Sequence, residues 1–188
     1  QMRIISGNFK GKKILEPKDI KTRPLKDLTK ESIFNIINHS NKFKVNIKNS
    51  TILDLFSGVG SFGIECLSRG ARFVTFIENY RLVLPILKKN LDNLRINEKY
   101  EIITEDIFKN LDFFNNKNKF DIIFLDPPYK EKKISFLIDK IFDEKLLKDK
   151  GIIIIHRHKK EKDDYTKNFK ILEIKKYGIS KIIFGVFN

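Results

Sequence analysis

The chain has 188 residues, 41% of them hydrophobic and 12% aromatic, which suffices for one domain with its own core and is too apolar for a disordered chain. No apolar run approaches the roughly 18 residues that a membrane span needs, no signal-peptide pattern opens the chain, and the lone Cys66 excludes an internal disulfide and suits a reducing cytoplasm. The formal net charge of +14 is uneven: residues 1–50 carry 12 basic and 4 acidic side chains, 51–130 carry 11 of each, and 131–188 carry 15 and 9. A neutral centre between basic ends reads as a cofactor-binding core with a polyanion docked against the ends, although a generally Lys-rich composition yields the same total. His39, His156 and His158 are not in ligand spacing with the cysteine, so no metal is expected.

In chain order, Arg3–Ser6 and Lys12–Leu15 flank a glycine-bounded turn and predict a small hairpin. Asp27 is expected to cap a helix from Leu28 to Ile37, with Ile33, Phe34, Ile36 and Ile37 on its apolar face. Thr51–Phe56 reads as a buried strand, Ser61–Arg69 as a helix closed by Gly70, and Phe73–Ile77 as a second strand. A helix is expected over Tyr80–Leu94, kinked by Pro85 in its second turn. Strands follow at Glu101–Thr104 and Phe120–Leu125, a helix at Ile134–Phe142, and a strand at Gly151–His156. Lys170–Tyr177 and Lys181–Phe187 meet at Gly178 as an antiparallel pair. This alternation predicts an α/β, Rossmann-like fold: a mostly parallel seven-stranded sheet with helices on both faces, an antiparallel C-terminal strand and a small N-terminal hairpin–helix extension. The whole chain, 1–188, is expected to be a single domain, with a basic arm over 1–40 and the sheet core over 50–188.

Three constellations carry chemistry. The first is Asp54-Leu55-Phe56-Ser57-Gly58-Val59-Gly60-Ser61-Phe62-Gly63, directly after the first sheet strand. Its glycines allow a tight turn and close approach of a ligand to the main chain, and they also satisfy the G-x-G-x-x-G pattern of dinucleotide binders. Asp54 at the strand end opposes a pyrophosphate but suits the cationic amino-acid end of S-adenosylmethionine. The second is Glu78, placed to accept hydrogen bonds from ribose hydroxyls, each worth about 1.5–3 kcal/mol. Asp106, after the third strand, either faces the adenine amino group or caps a helix. Cofactor contacts are thus expected from Asp54, Phe56, Ser57, Gly58, Gly60, Glu78, Asp106 and Ile107.

The third is Asp126-Pro127-Pro128-Tyr129 at the end of the fourth strand. An exocyclic base nitrogen is a poor nucleophile because its lone pair is delocalised into the ring. Holding its N–H bonds against acceptors turns that lone pair towards a methyl donor. Asp126 supplies one acceptor and the carbonyl of Pro127 a second, the prolines fix φ, and Tyr129 offers a ring face for the base. An NAD-dependent oxidoreductase leaves these four residues unexplained, and a binding module that has lost catalysis leaves the acid set unexplained.

With these motifs the chain resembles the Asp/Asn-Pro-Pro-Tyr amino-methyltransferases, and within them the bacterial 16S ribosomal RNA guanine-N2-methyltransferases of the RsmD type. The resemblance spans nearly the whole sequence: Met2 to Gly7, Gly11-Lys12-Lys13, Thr22-Arg23-Pro24, Asp27, Glu31 to Ile36, the Asp54 to Gly60 loop, Gly63 to Ala71, and Asp126 to Tyr129. It implies a class I S-adenosylmethionine-dependent enzyme that methylates N2 of one guanine in 16S rRNA, within the small ribosomal subunit or an assembly intermediate, in the cytoplasm. The same motif also serves adenine N6 or a protein amide, in DNA, RNA or protein. The enzyme is expected to act as a monomer, with no membrane association. Arg3, Lys10, Lys12, Lys13 and Arg23 are the candidate phosphate contacts, which position without reading sequence. The target guanine would have to leave its stack.

The sequence departs from the family pattern at Leu25 and Leu28, where Thr and Arg are usual, at Lys30, where Arg is common, and at His156, where an acid is frequent. The expected consequence is fewer phosphate or substrate interactions. His156 and His158 read as a strand end turned to solvent, with lining of the substrate side as the alternative.

Overall fold

The inner strands are runs of Ile, Val, Leu and Phe with few interruptions, as a parallel sheet covered on both faces requires. In the computed structural model, which describes residues 2–19, 24–109 and 119–188, the strands are β1 (Thr51–Leu55), β2 (Phe73–Ile77), β3 (Tyr100–Ile103), β4 (Phe120–Leu125), β5 (Leu147–His158), β6 (Phe169–Tyr177) and β7 (Ser180–Phe187). The helices among these residues are α1 (Asp27–His39), α2 (Ser61–Ser68), α3 (Leu84–Asp92) and α4 (Ile134–Asp143). The strands form one seven-stranded sheet in the order β3-β2-β1-β4-β5-β7-β6. β1 to β5 run parallel, while β7 is antiparallel to both β5 and β6, as the alternation predicted. Chain order reverses between β1 and β4, and open α/β sheets bind ligands in the crevice outside the carboxyl ends of such strands.

Alternate strand residues face two cores. Ile52, Phe76, Phe124 and Ile154 pack with Phe34 of α1, Phe62 of α2 and Leu87 of α3. Leu53, Ile123, Leu125 and Ile153 pack instead with Ile134, Leu137, Ile138 and Ile141 of α4. Phe62 is the hinge of an aromatic stack, with ring centroids 5.2 Å from Phe34 and 4.0 Å from Phe124.

Several sequence expectations need correction. Asp27 does not cap α1; Lys26 occupies the cap position, with extended backbone and no side-chain bond, and Asp27 is the first helical residue. There its carboxylate suits the positive end of the helix and lies 3.9 Å from the Lys30 ammonium. α3 begins at Leu84 rather than Tyr80, because Pro85 lacks an N–H and its fixed φ belongs in the first turn, so it starts the helix instead of kinking it. β5 is longer than Gly151–His156, running to His158.

The amino-terminal hairpin is minimal, with one antiparallel bridge, Arg3 to Lys13. Met2, Ile4 and Ile14 nonetheless join the main core. Glu65 of α2, fully buried, accepts from the N–H groups of Ile5 at 2.9 Å and Ser6 at 3.0 Å. Asn90 of α3 holds the other arm through Leu15. Lys30, which stands where the family commonly has Arg, is also fully buried: its ammonium donates to the Arg3 carbonyl and to Ser61 Oγ and lies 3.4 Å from Glu65. Burial lowers its pKa, against the opposing pull of Glu65 and Asp27. Lys30 therefore joins the hairpin, α1 and α2 and does not face a polyanion.

Candidate active site

The register of the sheet brings the sequence motifs to one edge. Leu55 is paired with Ile77 on one side and Leu125 on the other, so Phe56, Glu78 and Asp126 each leave their strand at the same level. The Asp126 N–H donates to the Leu55 carbonyl and the Ser57 N–H to that of Ile77, which closes the edge.

After β1 the backbone turns through left-handed conformations: φ is 57° at Phe56, 57° at Gly58 and 91° at Gly60. Such a φ costs a non-glycine residue about 1–3 kcal/mol, so Phe56 marks a strained turn of the kind that clusters at ligand sites. A Cβ on Gly60 would lie 2.6 Å from Leu87, whereas one on Gly58 would meet nothing within 4 Å, so the loop is packed on one side and open on the other.

The acids brace this loop. Asp54, 1% exposed, accepts from the Gly63 N–H at 3.0 Å and so ties β1 to the start of α2. Glu78 accepts from the Gly58 N–H at 2.8 Å and, through its other oxygen, from those of Asn79 and Tyr80. A carboxylate has about four acceptor sites, so these bonds do not exhaust Glu78. Burial pushes the Asp54 carboxyl well above the ordinary range, and the charges of Asp126 and Glu78 add to the shift. Burial also raises Glu78, against its backbone hydrogen bonds. Three acids in one another's field, two of them destabilised as anions, make a site that favours a cation. Asp106 caps a turn rather than a helix, accepting from the Phe108 N–H at 2.9 Å. Ile107 is buried below it, and the Phe108 ring lies 6.0 Å from that of Phe56.

On the far side of Asp126 the structure shows what the local motif did not. Leu125 pairs with Ile155, which sets His156 beside Asp126. His156 is not turned to solvent: at 7% exposure its Nδ1 lies 2.7 Å from Asp126 Oδ1 and its Nε2 2.9 Å from Ser180 Oγ. Ser180 Oγ is in turn 3.2 Å from the Tyr129 hydroxyl. The Tyr129 ring forms T-shaped pairs with both histidines, with centroids 6.1 Å apart for His156 and 5.1 Å for His158. Arg157, fully buried, donates to the carbonyls of Pro128 and Glu131 and to the Asp163 carboxylate. Its position in line with Ile153 and Ile155 is the one sign in the sequence that its charge is buried. Nothing local marks Asp163 as its partner, or Ser180 as that of His156.

Of the phosphate candidates, Arg3, Lys10, Lys12 and Lys13 are exposed on the hairpin, and Arg23 lies outside the described residues. Leu28, in place of a usual arginine, is 80% exposed, whereas Leu25 is buried.

The site has the parts for binding a cationic nucleoside and orienting a nitrogen beside it, and comparison with known proteins identifies the family. Residues 2–186 match the family described as Conserved hypothetical protein 95. The ribosomal RNA small subunit methyltransferase D of Haemophilus influenzae is 33% identical over 180 residues, covering 95% of this chain and 90% of that protein. That of Buchnera aphidicola subsp. Acyrthosiphon pisum is 36% identical over 172 residues, covering 92% and 86%. Among solved structures, the Escherichia coli protein yhhF, described as a candidate methyltransferase, superposes with a TM-score of 0.81 at 26% identity, covering 98% of this chain and 96% of that one.

Proposed function

The chain belongs to the family described as Conserved hypothetical protein 95, and on that footing we propose that it is a ribosomal RNA methyltransferase that modifies N2 of a guanine in 16S rRNA of the small subunit. The observation that carries the chemistry is the alignment of Glu78, Asp54 and Asp126 at one sheet edge, with Tyr129 beside them. S-adenosylmethionine, when bound, supplies a methyl group on a sulfonium, which is electrophilic without further activation.

The residues of this chain do the rest by binding and orientation. Glu78 and Asp106 hold the nucleoside half, and the turn from Phe56 to Gly60, with Ile107, shapes the pocket around it. Asp54 and Glu78 answer the positive charge of the donor. Asp126 and the Pro127 carbonyl accept the two N–H bonds of the exocyclic amine, and Tyr129 stacks on the base. The nitrogen lone pair takes the methyl group that bound S-adenosylmethionine supplies, and the Asp126 carboxylate, which accepts one of the N–H bonds, holds the proton that the nitrogen loses. Positioning of this kind accounts for a large part of the barrier reduction, up to about 7–11 kcal/mol in well-oriented systems. The exposed basic hairpin residues Arg3, Lys10, Lys12 and Lys13 contact phosphates, and Arg23 is assigned the same role from sequence alone. The reading carries with it a cytoplasmic location and a monomeric enzyme acting on a small subunit or its assembly intermediate.

The test is methyl transfer from labelled S-adenosylmethionine to small ribosomal subunits lacking the modification, followed by nucleoside analysis. N2-methylguanosine is the expected product. Label on adenine N6, or on DNA or protein in place of the subunits, would keep the chemistry and overturn the acceptor.

A further inference from the structure

The network on the far side of Asp126 has no counterpart among the residues needed for cofactor binding. A carboxylate that must accept an N–H from a substrate is useful only if its plane is held, and Asp126 is held by a neighbour on the next strand. With Asp126 acting as an acceptor, His156 Nδ1, 2.7 Å from Oδ1, must be the donor. In the Nδ1–H tautomer Nε2 is an acceptor, and the Ser180 hydroxyl donates to it across 2.9 Å. Ser180 Oγ, its proton used, accepts from the Tyr129 hydroxyl at 3.2 Å. In that tautomer the hydrogen bonds run from Tyr129 to Ser180 to His156 to Asp126.

We propose that His156, in its Nδ1–H tautomer and backed by Ser180, is a positioning residue for methyl transfer: it occupies Asp126 Oδ1, leaving Oδ2 for the substrate amine, and through Ser180 fixes the Tyr129 ring on which the base stacks. The acceptor and the stacking plane are thereby held in one geometry by a single imidazole. The proposal rests on the methyltransferase reading for its substrate, but the network it describes is present in the chain without one.

Two measurements test it, and the first is independent of the reading above. The first is nitrogen NMR of the full-length protein without ligand, with the His156 signals assigned by their loss in His156→Asn. The expected pattern has the proton on Nδ1; a proton on Nε2 alone overturns the proposal whatever the acceptor is. The second is kinetics on the labelled acceptor. His156→Ala should lower kcat about 10- to 100-fold, as expected for a misplaced reacting group, while the Kd for S-adenosylmethionine stays within about threefold. His156→Asn, whose amide nitrogen can take the place of Nδ1–H, should recover most of that loss. A His156→Ala enzyme with unchanged kcat, a loss confined to KM, or an Asn variant no better than Ala at equal thermal stability overturns the positioning role. If the wild-type chain modifies no subunit, the proposed function falls, and the NMR result still decides the tautomer.

Discussion

The guanidinium of Arg157 donates from Nη1 to the carbonyl oxygen of Pro128 at 3.2 Å, tying β5 to the loop that carries Asp126 and Tyr129. The same side chain reaches the Glu131 carbonyl at 2.9 Å and the Asp163 carboxylate at 2.8 and 3.1 Å. Fully buried, its charge is balanced inside the protein. Arg157→Ala would leave Asp163 uncompensated, so it should cost about 3–5 kcal/mol in chemical denaturation. Arg157→Lys keeps the charge, but one ammonium cannot span this set of acceptors, and it should fall between. An Ala variant within about 0.5 kcal/mol of wild type would show that these bonds add nothing to the stability of the fold.

Glu65 does for the hairpin what Arg157 does for the loop that carries Asp126 and Tyr129. Its two oxygens take the N–H groups of Ile5 and Ser6, and Arg69 Nε donates to it at 2.8 Å. Lys30 is the buried partner charge, 3.4 Å away. Glu65→Ala should therefore strand both a buried ammonium and two backbone donors, with a loss of about 3–5 kcal/mol and faster amide exchange at Ile5 and Ser6. Slow exchange retained at both amides would show that the hairpin is held by its apolar residues alone.

The features legible in the sequence are those contiguous in the chain. The loop from Asp54 to Gly63 and the run from Asp126 to Tyr129 each sit directly after an apolar strand, so their place at the sheet edge follows from strand length alone. His156 is not legible in this way. Its meaning depends on the β4–β5 register that pairs Leu125 with Ile155, and Ser180 enters only through the antiparallel return of β7. The apparent cap at Asp27 and the unforeseen burial of Lys30 share another cause: a local pattern cannot tell an exposed helix start from one pressed against Glu65. Pro85 misleads because a proline in the second turn would kink a helix whereas in the first turn it starts one, and the chain pattern alone does not fix which turn it occupies.

In the proposed mechanism Asp126 is the acceptor on which the transfer turns, while cofactor contacts are assigned to other residues. Asp126→Ala should abolish turnover and leave S-adenosylmethionine affinity within about threefold, measured by calorimetry beside the methyl-transfer assay. Asp126→Asn keeps an acceptor oxygen and should retain a trace of activity. Full activity in the Ala variant would take Asp126 out of the mechanism.

Lys10, Lys12 and Lys13 stand exposed on a hairpin anchored to the core, so their replacement should change charge and not fold. Neutralising all three should weaken RNA binding and flatten the plot of log affinity against log salt. On a duplex the slope should fall by up to about 0.9 for each phosphate no longer neutralised, and by less on single strands. Circular dichroism should be unchanged. A salt slope equal to that of wild type would place the RNA on another face.

If Asp54 and Glu78 hold the cofactor as proposed, their raised pKa values should set the pH dependence of its binding. Burial lifts the pKa of both Asp54 and Glu78, and for Asp54 the charges of Asp126 and Glu78 lift it further. A carboxyl whose folded pKa lies above its unfolded value stabilises the fold when protonated, and that contribution is lost as pH rises through the folded pKa. The ligand-free protein should thus lose this part of its stability on going from acid towards the raised range, the reverse of a salt-bridged carboxylate. A cationic donor favours the ionised form, so its binding should expel protons. Affinity for S-adenosylmethionine should then increase with pH through the raised range and level off above it, and calorimetric heats in buffers of different ionisation enthalpy should differ in the sense of proton release. A pH-independent Kd with buffer-independent heats would mean that neither carboxylate changes its protonation when the donor binds.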